Sequence, residues 1–459
     1  MRGVLRRSVH WLPVLAVLFL AVSLAPGRTA DGSDELAAAL QAAGEGGLDR
    51  LSALRAMLWT EPQGVAPFVL PRPSPAEEAR LGEAEARAKA ALAARPDLLG
   101  ALVLLGRLGW IAGRLDEAEE CYRRALSFAP GHGPALLGLA DLHLDRREPD
   151  RAAAFLVQIQ STDSGLAAQT ALRRAVLALW RGDGPEAVSV LAAVEPPSGE
   201  GFFPHLFFLA KGYLQSGLIR EAAALLAREV PPWAGGLWAE EYGLALYGLG
   251  DEERASTELG RATALLPGHP LPRWERAVFA LERRDAAGAA AIMTEEPMGL
   301  GGLTAASLFL YGLAKEEAKD YAAAVKAYTR LVELRPRLGL AYYHLGRALY
   351  SAQRYGEALR CLGQGIAVSP RLPSLYLQRA EVYERLKMKK QAAEEREKAA
   401  SLGIAAEGGG WRLRLSAAEG VGLIGLAGRG VPPQGIFFSR DGRRWLWRPW
   451  HGSAVALQA

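Results

Sequence analysis

The chain has 459 residues, half of them apolar, so it can bury a large core and is not a broadly disordered polymer. Its net charge of +4 is unevenly spread: Arg2, Arg6, Arg7 and Arg28 precede residue 31, and seven Arg oppose Glu407, Glu419 and Asp441 after residue 403. The stretch 31–403 is left mildly acidic, which argues against general nucleic-acid binding. Two cysteines, Cys121 and Cys361, exclude a disulfide framework and read as small, semi-buried thiols.

In chain order, a basic start is followed by an apolar run from Trp11 to Ala25 and then by small and polar residues. That layout reads as an export signal, and the run is short for a bilayer span of about 20 residues. Residues 1–30 are therefore expected to be a signal peptide or, if retained, a membrane anchor through 11–25. No Cys follows the run, which argues against lipoprotein processing. The expected location is the periplasm, or the membrane by way of the uncleaved segment. Residues 31–98 read as an N-terminal helical cap containing a Pro-rich linker, 60–75. Within it 34–59 predicts a helical pair, and Pro75–Arg95 predicts a further helix capped by Ser74 with Pro75 at its first position.

From 99 to 403 one alanine sets a period. Ala118, Ala152, Ala187, Ala222, Ala255, Ala290, Ala324, Ala358 and Ala392 follow one another at spacings of 33 to 35 residues. Twelve residues before each stands a small side chain, such as Gly106, Ala140, Gly312 and Gly346, with Val278 as the exception. Four residues after the alanine stands a larger one, such as Tyr122, Leu156, Tyr328 and Leu362, and Pro130, Pro267, Pro336 and Pro370 close several units. The pattern predicts antiparallel helix pairs, with small residues where two helices approach and a bulky one filling the adjacent gap. Gly113–Asp116 and Lys319–Tyr321 read as the short turns between paired helices. One pair cannot bury its own apolar face, so successive pairs must stack. The unit from Leu271 reads as degraded, with Val278 and Thr294 where a small residue and a bulky one are expected.

These residues resemble the tetratricopeptide repeat, a unit of about 34 residues with the same small, Ala, aromatic and Pro positions. The resemblance covers about nine units and implies an all-α, right-handed superhelical solenoid whose first helices line a concave groove for peptides or helices. Carried onto this chain, the groove positions fall at Arg107, Trp110, Trp180, Phe207, Lys211, Tyr247, Phe279, Phe309, Tyr343, Arg347 and Tyr350. Aromatic and Arg side chains dominate binding hot spots, and the alternative for each is ordinary packing between helices. The ninth positions, Arg107, Asp141, Val176, Lys211, Leu244, Phe279, Leu313, Arg347 and Glu381, contain no Asn. That argues against the family's chaperone-tail carboxylate clamp.

No metalloprotease, nucleophile-elbow, phosphate-loop or paired-cysteine motif occurs. His132 and His143 are not spaced as two ligands on one helical turn. The carboxylate pairs Glu316-Glu317 and Glu394-Glu395 read as solvated helix faces. No catalytic residue, metal site or cofactor is expected.

After Gly403 the composition turns Gly-rich and ends in "IFFSRDGRRWLWRPW". Asp441-Gly442 suits a two-residue turn, pairing Phe438 with Trp445, Ile436 with Trp447 and Phe437 with Leu446. The segment looks like the hairpins of TolB-type β-propeller blades, but it occurs once, and a propeller needs at least four blades. The tail, 404–459, is read as a β-cap on the solenoid, as a docking element through Trp445, Trp447, Trp450, Arg443 and Arg444, or as an extension. The whole reads as an exported bacterial scaffold that binds one or more proteins and serves envelope assembly of the polysaccharide-export or pilus type. The rival reading is an accessory or enzyme-associated protein whose tail binds carbohydrate or the membrane surface.

Overall fold

The computed structural model describes residues 32–60, 73–160, 163–197, 199–267, 269, 271–294, 305–402, 436–437 and 446–447. Apart from two short strands, the regular elements among them are helices. The described residues up to Gly217, except Trp180–Gly182, form one compact unit; those three and the residues from Leu218 onward form a second.

Nine helix–turn–helix stretches run from Leu99 to Ser401. The first unit holds Leu99–Ile111 with Leu115–Phe128, Gly133–Asp145 with Pro149–Gln158, and Ser164–Trp180 followed by Gly184–Ala192 and Phe202–Gln215. In the second unit Ile219–Leu226 is followed by five complete pairs, which begin at Gly235, Leu271, Ala305, Gly339 and Pro373. Each of those pairs packs on itself and on the next, and one core runs from Leu246 to Val382.

A single turn recurs between the paired helices. Gly113, Arg147, Gly182, Gly217, Gly250, Arg284, Lys319, Gln353 and Lys387 all have φ between 59° and 83°, one per stretch. The residue after the turn donates back five positions, as Arg114 does to Gly109 (2.8 Å) and Asp320 to Lys315 (2.8 Å), closing a Schellman motif. That same residue caps the next helix. Asp183, Asp251 and Asp320 each accept a backbone N–H three residues on, at 3.0, 3.3 and 3.2 Å. Second helices ending at Phe128, Leu265, Leu334 and Val368 stop two residues before Pro130, Pro267, Pro336 and Pro370, as a following proline demands.

The periodic alanines are the contact points. Ala118, Ala152, Ala187, Ala222, Ala255, Ala324 and Ala358 are fully buried. The small residue twelve positions earlier faces the bulky one four positions later. A Cβ on Gly106 would stand 2.5 Å from the Tyr122 ring, and one on Gly312 would stand 2.5 Å from the Tyr328 ring. Tyr122 is held from the other side as well, since a Cβ on Gly138 of the next pair would lie 2.3 Å from it. Both Tyr fillers therefore require Gly opposite.

Two expectations change. In the unit from Leu271 the second helix starts at Ala286, and Ala289, not Ala290, occupies the register position: its N–H bonds to Asp285 and it is fully buried. The small and bulky partners are then Ala277 and Met293, both fully buried, so the unit conforms and is not degraded. Upstream, Ser33–Glu45 does not chiefly pair with Leu48–Met57. It packs on Pro75–Ala94, where the fully buried Ala84 lies one period before Ala118. Ser74 and Glu77 complete a capping box at that helix's start. Leu48–Met57 and the 3-10 turn Leu58–Thr60 are thus inserted between the two helices of a further pair.

At the C-terminus, Ile436–Phe437 and Leu446–Trp447 pair antiparallel, Ile436 opposite Trp447 and Phe437 opposite Leu446. Residues 1–31 and the rest of the tail, including Arg443, Arg444, Trp445 and Trp450, lie outside the described residues.

The small–large contact predicts opposite effects at two helical glycines. Gly106→Ala is expected to cost about 1–3 kcal/mol, because overpacking against Tyr122 outweighs a helix-propensity gain of about 1 kcal/mol. Gly260→Ala, whose added methyl meets nothing within 4 Å, is expected to gain up to about 1 kcal/mol. Urea unfolding of the two variants, followed by circular dichroism, checks the signs.

Candidate functional site

The eleven groove positions lie on first helices, and the two units treat them differently. In the first unit Trp110 is buried and its indole N–H donates to Asp145 Oδ2 at 2.8 Å. Arg107, on the same helix, reaches Asp49 (2.7 Å) and Ser52 Oγ (3.2 Å). Phe207 is fully buried edge-on to Phe208, with Lys211 Nζ 5.0 Å from its ring centroid. Phe207 therefore contributes packing, and only its neighbour Lys211 is partly exposed. Trp180, the last residue of its helix, falls in the second unit and is half-buried.

In the second unit Tyr247 and Phe279 stack with ring centroids 3.6 Å apart and planes within 6°. Phe279 and Phe309 are buried, the latter edge-on to His344 at 4.8 Å, so both belong to the seams between helices. Tyr343, Arg347 and Tyr350 remain half-exposed. Their spacing of four and three residues puts them in one stripe on the helix Gly339–Ser351. The structure thus separates Tyr247, Tyr343, Arg347 and Tyr350, which keep accessible surface, from Trp110, Phe207, Phe279 and Phe309, which do not.

Glu316 corrects the reading of its carboxylate pair as a solvated face. Glu317 is exposed, but the Glu316 side chain is 8% exposed. It accepts two hydrogen bonds from Arg347, at 3.0 and 2.8 Å, and one from the Tyr328 hydroxyl at 2.8 Å. His344 Nδ1 stands 3.7 Å away, beyond hydrogen-bond reach. Burial alone would raise the Glu316 carboxyl, but His344 and, more firmly, the bidentate guanidinium outweigh it and hold it at about 2. Glu395 is similar: Arg379 donates to it at 2.6 Å and it too is largely buried. The pair fixes the Arg347 guanidinium 5.7 Å from the Tyr343 ring centroid, so the stripe presents a preset cation–aromatic surface.

Among the described residues no cluster of three His, Cys, Asp or Glu could hold a metal ion, and no helix is long and apolar enough to cross a membrane. Cys121 and Cys361 are both free thiols.

The carboxyl of Glu316 is depressed from an ordinary 4.5, so it adds stability that is fully present above about pH 4.5 and is lost as pH falls towards 2. Glu316→Gln is expected to cost about 2–3 kcal/mol at pH 7, under the range for fully enclosed pairs because Arg347 keeps about a third of its side chain exposed. The difference from the unaltered protein should narrow below pH 4.5. Urea titrations at pH 7 and pH 3 measure it.

Residues 77–133, 109–175 and 309–370 match family models described as tetratricopeptide repeat. No curated protein matches the chain. Among solved structures, a tetratricopeptide repeat protein from Parabacteroides merdae is 16% identical, with 52% of this chain and 94% of that one covered at a TM-score of 0.38. The C-terminal part of a repeat protein from Cytophaga hutchinsonii is 16% identical, with 50% and 95% covered at 0.43. The Naa15/Naa10 assembly bound to HypK-THB is 17% identical over 72% of this chain and 65% of that one, at 0.40. The matched stretches fall on helix pairs of the expected length, turn and small–large contact, so residues 77–175 and 309–370 are tetratricopeptide repeats.

Proposed function

We propose that the chain is an exported, non-enzymatic scaffold that holds partner proteins through the partly exposed first-helix aromatics of its second unit. The observation that carries this reading is the stripe Tyr343, Arg347, Tyr350, which combines large contact area with a guanidinium already oriented by Glu316. A side chain fixed before binding loses little entropy on binding, so such a stripe favours affinity for extended or helical segments. Tyr247, stacked on Phe279, extends the same chemistry to an earlier pair of that unit.

The basic start and the apolar run from Trp11 to Ala25 support export. The setting we infer is a bacterial envelope, where the scaffold serves an assembly of the polysaccharide-export or pilus type.

Tyr343→Ala combined with Tyr350→Ala is expected to lower the affinity for proteins captured from envelope extracts by at least about thirty-fold, as the loss of a hot spot would. Truncation after Gly403 should leave capture unchanged. Capture that survives the double substitution and vanishes with the tail would instead favour a docking role for residues 404–459. Export has its own check: residues 1–30 fused to a reporter active only outside the cytoplasm should switch it on, and a silent reporter would remove the envelope setting.

A further inference from the structure

The inserted segment Leu48–Thr60 is packed unlike a surface helix. Nine of its thirteen residues are at most 7% exposed, and they do not form one stripe. A helix whose apolar residues are buried on most of its sides is stable only when something surrounds it. Here the surroundings are the first helices of the first unit. The segment packs on Leu99–Ile111 and on Phe202–Gln215, with the turn Gly199–Gly201 beside it.

Arg107 on Leu99–Ile111 binds its Asp49 and Ser52, Glu77 binds its Arg50, and Arg55 and Trp59 are received by residues of the first helices between Leu99–Ile111 and Phe202–Gln215. Asp145, at the end of Gly133–Asp145, accepts from Arg55 Nε at 2.7 Å and from Trp110 on Oδ2, and from the Trp59 indole N–H at 2.7 Å on Oδ1. The Arg55 guanidinium lies 5.3 Å from the Trp110 ring centroid. Arg173, on Ser164–Trp180, lies 5.3 Å from the Trp59 ring centroid and is held there by two hydrogen bonds to the buried Asp141, at 2.8 and 2.7 Å. Arg147, the turn residue after Asp145, donates to the Trp59 carbonyl. Side chains from three successive first helices therefore converge on one short helix, the fourth lies beside it, and two of those side chains, Arg107 and Trp110, are groove positions. Arg55 and Trp59, one helical turn apart, carry most of the polar recognition.

We propose that the inner surface of the first unit is a helix-binding groove already occupied by the chain's own residues 48–60. Its ligand class is a short apolar helix with Arg and Trp one turn apart, read by Asp145 and Arg173. An outside helix of that kind binds only in competition with the resident one, so the first unit is closed to partners until residues 48–60 leave. This goes beyond the scaffold reading, which concerns the second unit, and it stands or falls without it.

The test uses the full chain and a fluorescent peptide of residues 48–60. Anisotropy should show saturable binding to the Arg55→Ala, Trp59→Ala variant at least ten-fold tighter than to the unaltered protein. Adding Asp145→Ala to that variant should abolish the binding. Equal binding to the variant and the unaltered protein, with the variant's helical circular dichroism intact, overturns the proposal. A second measurement needs no substitution: isotope-labelled protein is followed by hydrogen exchange with and without excess unlabelled peptide. Exchange of the resident 48–60 amides should quicken with this peptide and not with one carrying Ala at positions 55 and 59. Unchanged exchange overturns the exchangeable groove. A concentration-dependent dimer in sedimentation, with the segment contributed by a second copy, overturns the intramolecular occupancy.

Discussion

How closely two helices can lie against each other is set in this protein by missing methyl groups. Where Gly106 and Gly138 meet Tyr122, the ring fills the space that two β-carbons would have taken. The same geometry holds Tyr328 against Gly312. Once that distance is fixed, the alanine at the crossing has no room to be larger, and the turn that joins the helices must reverse the chain in the left-handed region. Five of the nine turns accept a non-glycine residue there, Arg147, Arg284, Lys319, Gln353 and Lys387. Each left-handed residue costs roughly 1–2 kcal/mol, which shows how firmly the packing on either side dictates the turn.

Much of this was legible in the sequence because close packing leaves few substitutions open. Alanine at a crossing and Gly opposite Tyr cannot drift, so they mark a period that survives elsewhere-variable surfaces. The reading slipped by one residue where that contrast vanishes. Ala289, Ala290 and Ala291 are adjacent, and the turn before them is Arg284 where a glycine would have marked the boundary. Ala84 escaped notice for a different reason: an insertion separates the two helices of its pair, so no small residue stands twelve positions earlier to confirm it.

The polar contacts were less legible. Arg347 stands out in the sequence as a groove residue but its partner Glu316 does not, because ion pairs depend on the reach of long side chains across neighbouring helices and leave no period. A spacing of 31 residues between carboxylate and guanidinium is the only trace, and it is visible once the pairs are known to stack. Residues 48–60 presented a related difficulty. A helix with no apolar stripe gives no direction in which to look for its partner. The site residues themselves divided by depth: ring size identified them, but only the packed structure distinguishes Tyr343 at a surface from Phe309 at a seam.

Repeat arrays normally fold from local contacts, each pair needing only its neighbours. The segment at 48–60 departs from that rule, since Arg55 and Trp59 meet Asp145 across 90 and 86 residues of chain. Helix Phe202–Gln215, on which the segment also packs, lies further still. During synthesis at roughly 5–20 residues per second, that helix emerges many seconds after the segment does. For that interval the segment has only part of its finished surroundings, the part supplied by residues up to Arg147 and the helix Ser164–Trp180. Residues 48–60 are therefore made early and reach their final burial late, only when the helix Phe202–Gln215 closes the last side of their surroundings.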